Sequence, residues 1–242
     1  TLTTEAFQQF ITADIPAATW KNVGAAEEVD DLRRAAIETS TLREALEVCL
    51  RGADPTDHLN LNSRAALARS LVRETPVPET IKSAIALEYG KLCEMYTPGV
   101  DVAVRSSATT EDSAEASFAG QYESYLNVSG ERDIIEKWRR CVASMFTERA
   151  IGYHLEHNMH PLDSAIAVVV MKMARSDKAS SGVMFTIDPD SGHAGVIHVG
   201  SSYGLGELVV QGVVSPDTFT VWKEGLRAGK FPIVHRTLGS KD

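Results

Sequence analysis

The sequence has no run of 18 apolar residues, no surplus of positive charge and few aromatic side chains. Without such a run, no segment reads as a helix that crosses a bilayer. Lys and Arg number 24 against 33 Asp and Glu, a net charge of −9. That balance excludes a general nucleic-acid binder, which needs cations to displace counterions, although one Arg-rich pocket can still hold a polyanion locally. Cysteine is scarce. Cys49, Cys93 and Cys141 are odd in number and widely spaced, with no CxxC or Cys/His metal spacing. Each falls in an apolar helical pattern, which predicts buried free thiols in a reducing, cytoplasmic compartment. No signal-peptide pattern opens the chain, so secretion is not expected. GxxxxGK[ST], GxSxG and the kinase HRD and DFG sets are all missing. A nucleotide bound here is therefore held by another architecture.

What is present is an ordinary globular composition, 43% hydrophobic and 24% charged over 242 residues, enough for one large domain or two small ones with a real core. TLTTEAFQQF has no initiator Met and enters a helix almost at once, and LGSKD stops without a capping element. Both lead us to expect a piece of a longer protein.

The first hundred residues predict helices. Thr3 or Thr4 can cap a helix carrying Phe7, Phe10 and Ile11. Val29, Leu32, Ala36, Leu42, Ala45, Leu46 and Cys49 recur at helical spacing, with a break at Thr39-Ser40-Thr41. Residues 52–60 read as a polar loop, and Asn62-Ser63 as the cap of the next helix. Pro78 suits the first turn of a helix bearing Ile81, Ile85, Tyr89, Leu92 and Tyr96.

From Asp101 the pattern changes to strands, expected at 101–105, 122–128, 165–173, 181–187, 195–201, 217–222 and 232–235. One long helix interrupts them, its stripe running Ile134, Ile135, Trp138, Cys141, Val142, Met145, Phe146, Ala150. His154, His157 and His160 follow. Their spacing could suit a metal, but no HExxH or carboxylate partner completes a site, and dipole interaction or exposure is the simpler reading. The run AIAVVVMKM predicts a central strand buried on both faces. Asp188 and Asp190, in DPDSG, read as turn makers rather than metal ligands.

Three places carry candidate chemistry. In residues 101–128 a short strand ends in Arg105. A long small-residue segment then carries hydroxyls at Ser106, Ser107, Thr109 and Thr110, followed by Ala119-Gly120-Gln121. A fixed guanidinium beside hydroxyls and closely approachable backbone suits oxyanions, phosphates above all; the alternative is a solvated hairpin loop with a surface Arg. Met171-Lys172-Met173 offers backbone polar groups between soft apolar side chains, the setting an adenine needs, or is simply the end of a core strand. In Ser201–Glu207, GLGE lacks the third Gly of a dinucleotide fingerprint. Glu207 either begins a helix turn, the reading we favour, or faces a cation or ribose.

VAVRSSATTEDSAEASFAGQYESYLNV, SGVMFTIDPDSG, SSYGLGELVVQGVVSPDTFTVW and RTLGSKD resemble the N-terminal nucleotide-binding domain of the phosphoenolpyruvate synthase family. That domain is shared with pyruvate, phosphate dikinases and rifamycin phosphotransferases. The resemblance is tight from 101 to 242 and looser from 1 to 100; QGVVSPDTF and RTLGSK favour the synthases over the antibiotic phosphotransferases. It implies an α+β, ATP-grasp-type domain, with a mainly helical subdomain at 1–100 and a mixed or antiparallel sheet subdomain at 101–242. It also implies ATP with Mg²⁺, and transfer of phosphate through a phosphohistidine on a swivelling domain to pyruvate in a barrel domain. The products are phosphoenolpyruvate, AMP and phosphate. By motif, the resemblance places Arg105, Gly120, Ser124 and Met171 at the nucleotide, with Ser107, Gln121, Met173 and Glu207 in supporting positions. Ser124 stands where the family commonly has Thr. Met171 stands where it often has Gln, so only backbone contacts to the base are expected there. The family's Gly-rich stretch with its Lys, its Mg²⁺-ligating acid, its QARPE-type segment and the phosphocarrier His fall outside the chain. This piece alone is expected to bind nucleotide weakly and not to turn over. Two other readings are an antibiotic phosphotransferase domain and a nucleotide-binding module without transfer chemistry.

Overall fold

The computed structural model describes residues 1–24, 27–108 and 123–240. The chain divides into two compact units, Thr1–Met173 and Ala174–Asp242. The division thus falls after Met173 and not near residue 100, where the sequence pattern changes. The reason is that the early helices share a hydrophobic core with the first strands that follow them.

In the first unit the helices are α1 (Thr4–Ile11), α2 (Asp30–Ile37), α3 (Leu42–Leu50), α4 (His58–Glu74) and α5 (Glu79–Met95). Then come β1 (Val102–Ala108), β2 (Ser124–Val128), α6 (Glu131–Ser144), α7 (Glu148–Glu156) and β3 (Ile166–Lys172). The break between α2 and α3 ends in a capping box: the Thr41 hydroxyl accepts from Glu44 N–H while the Glu44 carboxylate accepts from Thr41 N–H. Two expected caps differ. Neither Thr3 nor Thr4 caps α1 with its side chain, since Thr3 at the cap position makes no such bond. Helix α4 begins within the expected loop, because Asp57 accepts from Leu59 and Asn60 N–H five residues before Asn62. The long helix expected from Ile134 is two helices. Thr147 accepts from Ala150 N–H and starts α7 afresh, while Met145 and Phe146 stay in the core across the break.

Helix α6 is the centre of this unit. Ile134, Trp138, Cys141 and Val142 are buried, and α6 packs on all three strands and on α4 and α5. Trp138 meets Phe10 edge-on, with ring centroids 5.3 Å apart. The sheet order is β2-β1-β3, antiparallel throughout. The expectation that residues 165–173 form the central strand is corrected: β1 is central. Strand β3 pairs with it on one side and, among the described residues, meets only Leu2 on the other, through two 2.8 Å bonds with Val168. Burial along β3 alternates, so one face and not both is packed. Of the three thiols, Cys49 and Cys141 are buried and Cys93 is half-buried.

His154 is fully buried, which the sequence did not suggest. Its Nδ1–H donates to the Ala150 carbonyl at 2.7 Å, leaving Nε2 to accept from the Ser164 hydroxyl at 2.8 Å. Burial holds its pKa below the usual 6.5, against the opposing pull of the Ala150 carbonyl.

The second unit holds β4 (Ser180–Phe185), β5 (Val196–Tyr203), α8 (Gly206–Val210), β6 (Asp217–Trp222), α9 (Lys223–Arg227) and β7 (Ile233–Thr237). The seven strands among the described residues fall where the sequence pattern places them, within a few residues. The four here form an antiparallel sheet in chain order. Between β4 and β5, Asp188 accepts from Asp190 N–H and the Ser191 hydroxyl, which holds its carboxyl below the usual range and makes it a turn residue. Gly204 takes φ +87°, a conformation open to glycine, and turns the chain into α8. The register puts Met184, Ile197, Val199, Phe219, Val221 and Ile233 on one face. Among the described apolar side chains of this unit only Val196 is buried.

Three outcomes are expected. Trp138→Ala removes the centre of the first core and lowers stability by roughly 3–5 kcal/mol in urea denaturation. Because the folded pKa of His154 is lowered, its contribution to stability is complete above pH 6.5 and is lost as pH falls through the lower folded value. Urea midpoints at pH 7.5 and 5.5 check this, and His154→Gln flattens the difference. Residues 174–242 prepared alone show no cooperative thermal transition, since one buried apolar side chain cannot offset chain entropy.

Candidate functional site

Alternation along three paired strands sorts the first sheet into two faces. Val102 and Val104 of β1, Tyr125 and Val128 of β2, and Ile166, Val168 and Val170 of β3 turn to the core. The opposite face carries Ala103, Arg105 and Ser107 of β1, Ser124 of β2, and Ala167, Val169 and Met171 of β3. Arg105 sits on the central strand, directly opposite Ser124 on one side and Val169 on the other. Met171 lies opposite Ala103, one alternation away on the same face. Four of the expected nucleotide residues, Arg105, Ser107, Ser124 and Met171, are thus brought together, and all four are exposed.

Among the described residues Arg105 has no ion pair. No carboxylate belongs to this face among its described residues. A guanidinium held on rigid strand backbone, flanked by hydroxyls and free of a counter-charge, can take a polyanion's oxygens without first breaking a salt bridge. These residues suit phosphate. They do not suit Mg²⁺, which wants carboxylate or phosphate oxygens. Among the described residues no group of three His, Cys, Asp or Glu is arranged to hold a metal.

The backbone at the end of β3 departs from expectation in a useful way. In an antiparallel ladder, alternate residues turn their N–H and C=O to opposite neighbours. Val168 turns its groups outward to Leu2, and Met173 donates inward to the Asp101 carbonyl at 2.9 Å. By the same alternation Met171 faces β1, and its main chain is committed to Ala103. The outward donor and acceptor belong to Val170 and Lys172. The main-chain groups that β1 leaves free at this end of β3 are therefore those of Lys172 and not of Met171. The Lys172 ammonium folds back to the Met173 carbonyl at 3.3 Å and lies 5.1 Å from the centre of the Tyr96 ring. Met173 itself is buried. Sequence reasoning passed over Lys172 because a lysine at a strand end reads as a solvated charge.

Gly120 and Gln121 lie outside the described residues. Glu207 belongs to the second unit, in the first turn of α8, where it accepts from the Gln211 side chain at 2.8 Å. The three histidines each have partners of their own. Besides His154, His157 stacks on Tyr153 at 4.2 Å and His160 accepts from Leu162 N–H at 3.3 Å. No helix among the described residues is long and apolar enough to cross a membrane.

Comparison with known proteins gives the family. The family model described as "Pyruvate phosphate dikinase, AMP/ATP-binding domain" matches residues 2–242. Phosphoenolpyruvate synthase of Synechocystis sp. is 46% identical over 210 residues, 85% of this chain and 26% of that protein. The phosphoenolpyruvate synthase of Aquifex aeolicus is 44% identical over 207 residues, 85% of this chain and 24% of its own length. That of Escherichia coli is 40% identical over 205 residues, 85% and 26%. The chain thus spans about a quarter of the length of the relatives it matches. With a family model spanning nearly its whole length, the chain belongs to the pyruvate phosphate dikinase AMP/ATP-binding domain family.

Proposed function

We propose that this chain is the ATP-binding part of a phosphoenolpyruvate synthase, and that the open face of the β2-β1-β3 sheet receives the nucleotide. The observation that carries the reading is Arg105: a guanidinium on the central strand, without an ion pair among the described residues, with Ser124 directly opposite. In this reading Arg105 neutralises and orients the phosphates, and Ser107 and Ser124 donate to their oxygens. The base lies against the exposed Met171 side chain and takes the outward N–H and C=O of Lys172. Gly120 and Gln121 approach the phosphates through their backbone, and Glu207 serves as a helix-start acid.

Phosphoryl transfer asks little covalent chemistry of a protein; it asks for charge neutralisation and alignment. Arg105 supplies both from a strand that cannot move independently of its neighbours. Mg²⁺ would not be held by this face, which offers it no carboxylate among its described residues; carried by the nucleotide, it would supply further charge neutralisation. The whole protein then consumes ATP, pyruvate and water, passing phosphate through a histidine on a swivelling domain to pyruvate and giving phosphoenolpyruvate, AMP and phosphate. The histidine and the pyruvate site belong to other domains of that protein, which works in the cytoplasm.

Calorimetric titration of the 242-residue chain with ATP and Mg²⁺ tests this. Arg105→Ala weakens binding by about 1.5–3 kcal/mol, the loss of a charge-assisted contact. Arg105→Lys recovers only part of it, since an ammonium lacks the planar fork. Equal affinity in wild type and Arg105→Ala would remove Arg105 from the site.

A further inference from the structure

Among the described residues the ladder between β1 and β2 runs as far as the pair Arg105–Ser124, and β1 continues to Ala108. One residue further along, a side chain adds the next cross-strand bond. The Ser106 hydroxyl, on the core side of the sheet, donates to the Glu123 carbonyl at 3.1 Å. The same carbonyl receives the Cys141 thiol from α6, at 3.6 Å. Cys141 stays a thiol, and hence a donor, because burial pushes its pKa up to about 12. The Glu123 carboxylate in turn accepts from the Tyr125 hydroxyl, and the Lys137 ammonium lies 4.8 Å from the centre of the Tyr125 ring. Residue 123 is therefore gripped from β1, from α6 and from its own strand. It directly precedes Ser124, the hydroxyl that faces Arg105.

We propose that Ser106 is a positioning residue for nucleotide binding: by holding the Glu123 carbonyl it fixes Ser124 opposite Arg105 on the other face of the sheet. This rests on the reading of the open face as the nucleotide site. Ser106 points away from that face and touches no ligand there. It acts through the backbone at the start of β2. Without its hydroxyl the weak thiol bond alone holds the carbonyl, and the first residue of β2 frays, as strand ends with few partners do. A loosened Ser124 loses the preorganisation that makes its hydroxyl useful to an anion.

Two measurements on the 242-residue chain test the proposal. The first is ATP and Mg²⁺ titration of wild type, Ser106→Ala, Ser106→Thr and Ser124→Ala, with the double variant. Ser106→Ala is expected to weaken binding about five- to tenfold, the scale of one hydrogen bond. Ser106→Thr, which keeps the hydroxyl, stays within about twofold of wild type, a rescue that general loss of packing would not show. In the Ser124→Ala background Ser106→Ala adds no further loss, because the two act on one contact. The second is amide exchange at Ser124 without nucleotide, expected to quicken about tenfold in Ser106→Ala with the thermal midpoint unchanged. Wild-type affinity in Ser106→Ala, or additive losses in the double variant, would overturn the proposal. Unchanged exchange at Ser124 would show that the grip on residue 123 is not needed. No binding by wild type would remove the nucleotide reading and this role with it, whatever the exchange rates show.

Discussion

The first unit depends on the burial of one helical stripe. Ile134, Trp138, Cys141 and Val142 of α6 press against the core face of the sheet while the helix also touches α4 and α5. A sheet with one packed face must leave the other face to something else. Here the packed face is Val102, Val104, Ile166 and Val168, and the residues between them in sequence form the open face. Arg105 is presented where it is because Val104 is buried. A slip of one residue in register would send the guanidinium into the core beside Trp138, at the cost of burying an unpaired charge. Hydrophobic packing thus fixes the site's geometry without any of its atoms entering the site.

The two units solve the folding problem differently. The first buries a large continuous core of helices and strands. The second is a four-stranded meander with an apolar face and one buried apolar side chain. It is held mainly by its ladder and by local anchors. The Lys223 ammonium is one of these, donating to the carbonyls of Thr186 and Ala194 at the two ends of the β4–β5 connection. Directional bonds of this kind set shape well but contribute little net stability each.

Much of this was legible in the sequence. Apolar runs, alternation and turn residues located the strands among the described residues, and the 3.6-residue stripe located α6. The chemistry around Arg105 suggests phosphate from its residue types alone. Four candidate residues then proved to share one sheet face, as alternation from Arg105 requires. What was not legible depended on partners distant in sequence. The order β2-β1-β3 makes AIAVVVMKM an outer strand, because its apolar run comes from packing on α6 and from Leu2, not from strands on both sides. The unit boundary at Met173 follows from a core shared across a hundred residues. The buried state of His154 needed Ser164, ten residues on, to satisfy its second nitrogen. The break before α7 was visible as Thr147, yet the continuing apolar stripe masked it.

The outer edge of β3 has a consequence for solubility. Past the two bonds with Leu2, the main-chain groups of Val170 and Lys172 face away from the sheet, an edge that invites a strand from another molecule. The residue at the tip of that edge is a lysine, held across the Tyr96 ring. An incoming apolar strand would have to strip water from its ammonium and leave it without a counter-charge. A side chain that sequence reading treats as ordinary solvated charge therefore acts as a gatekeeper, closing this edge to a second sheet.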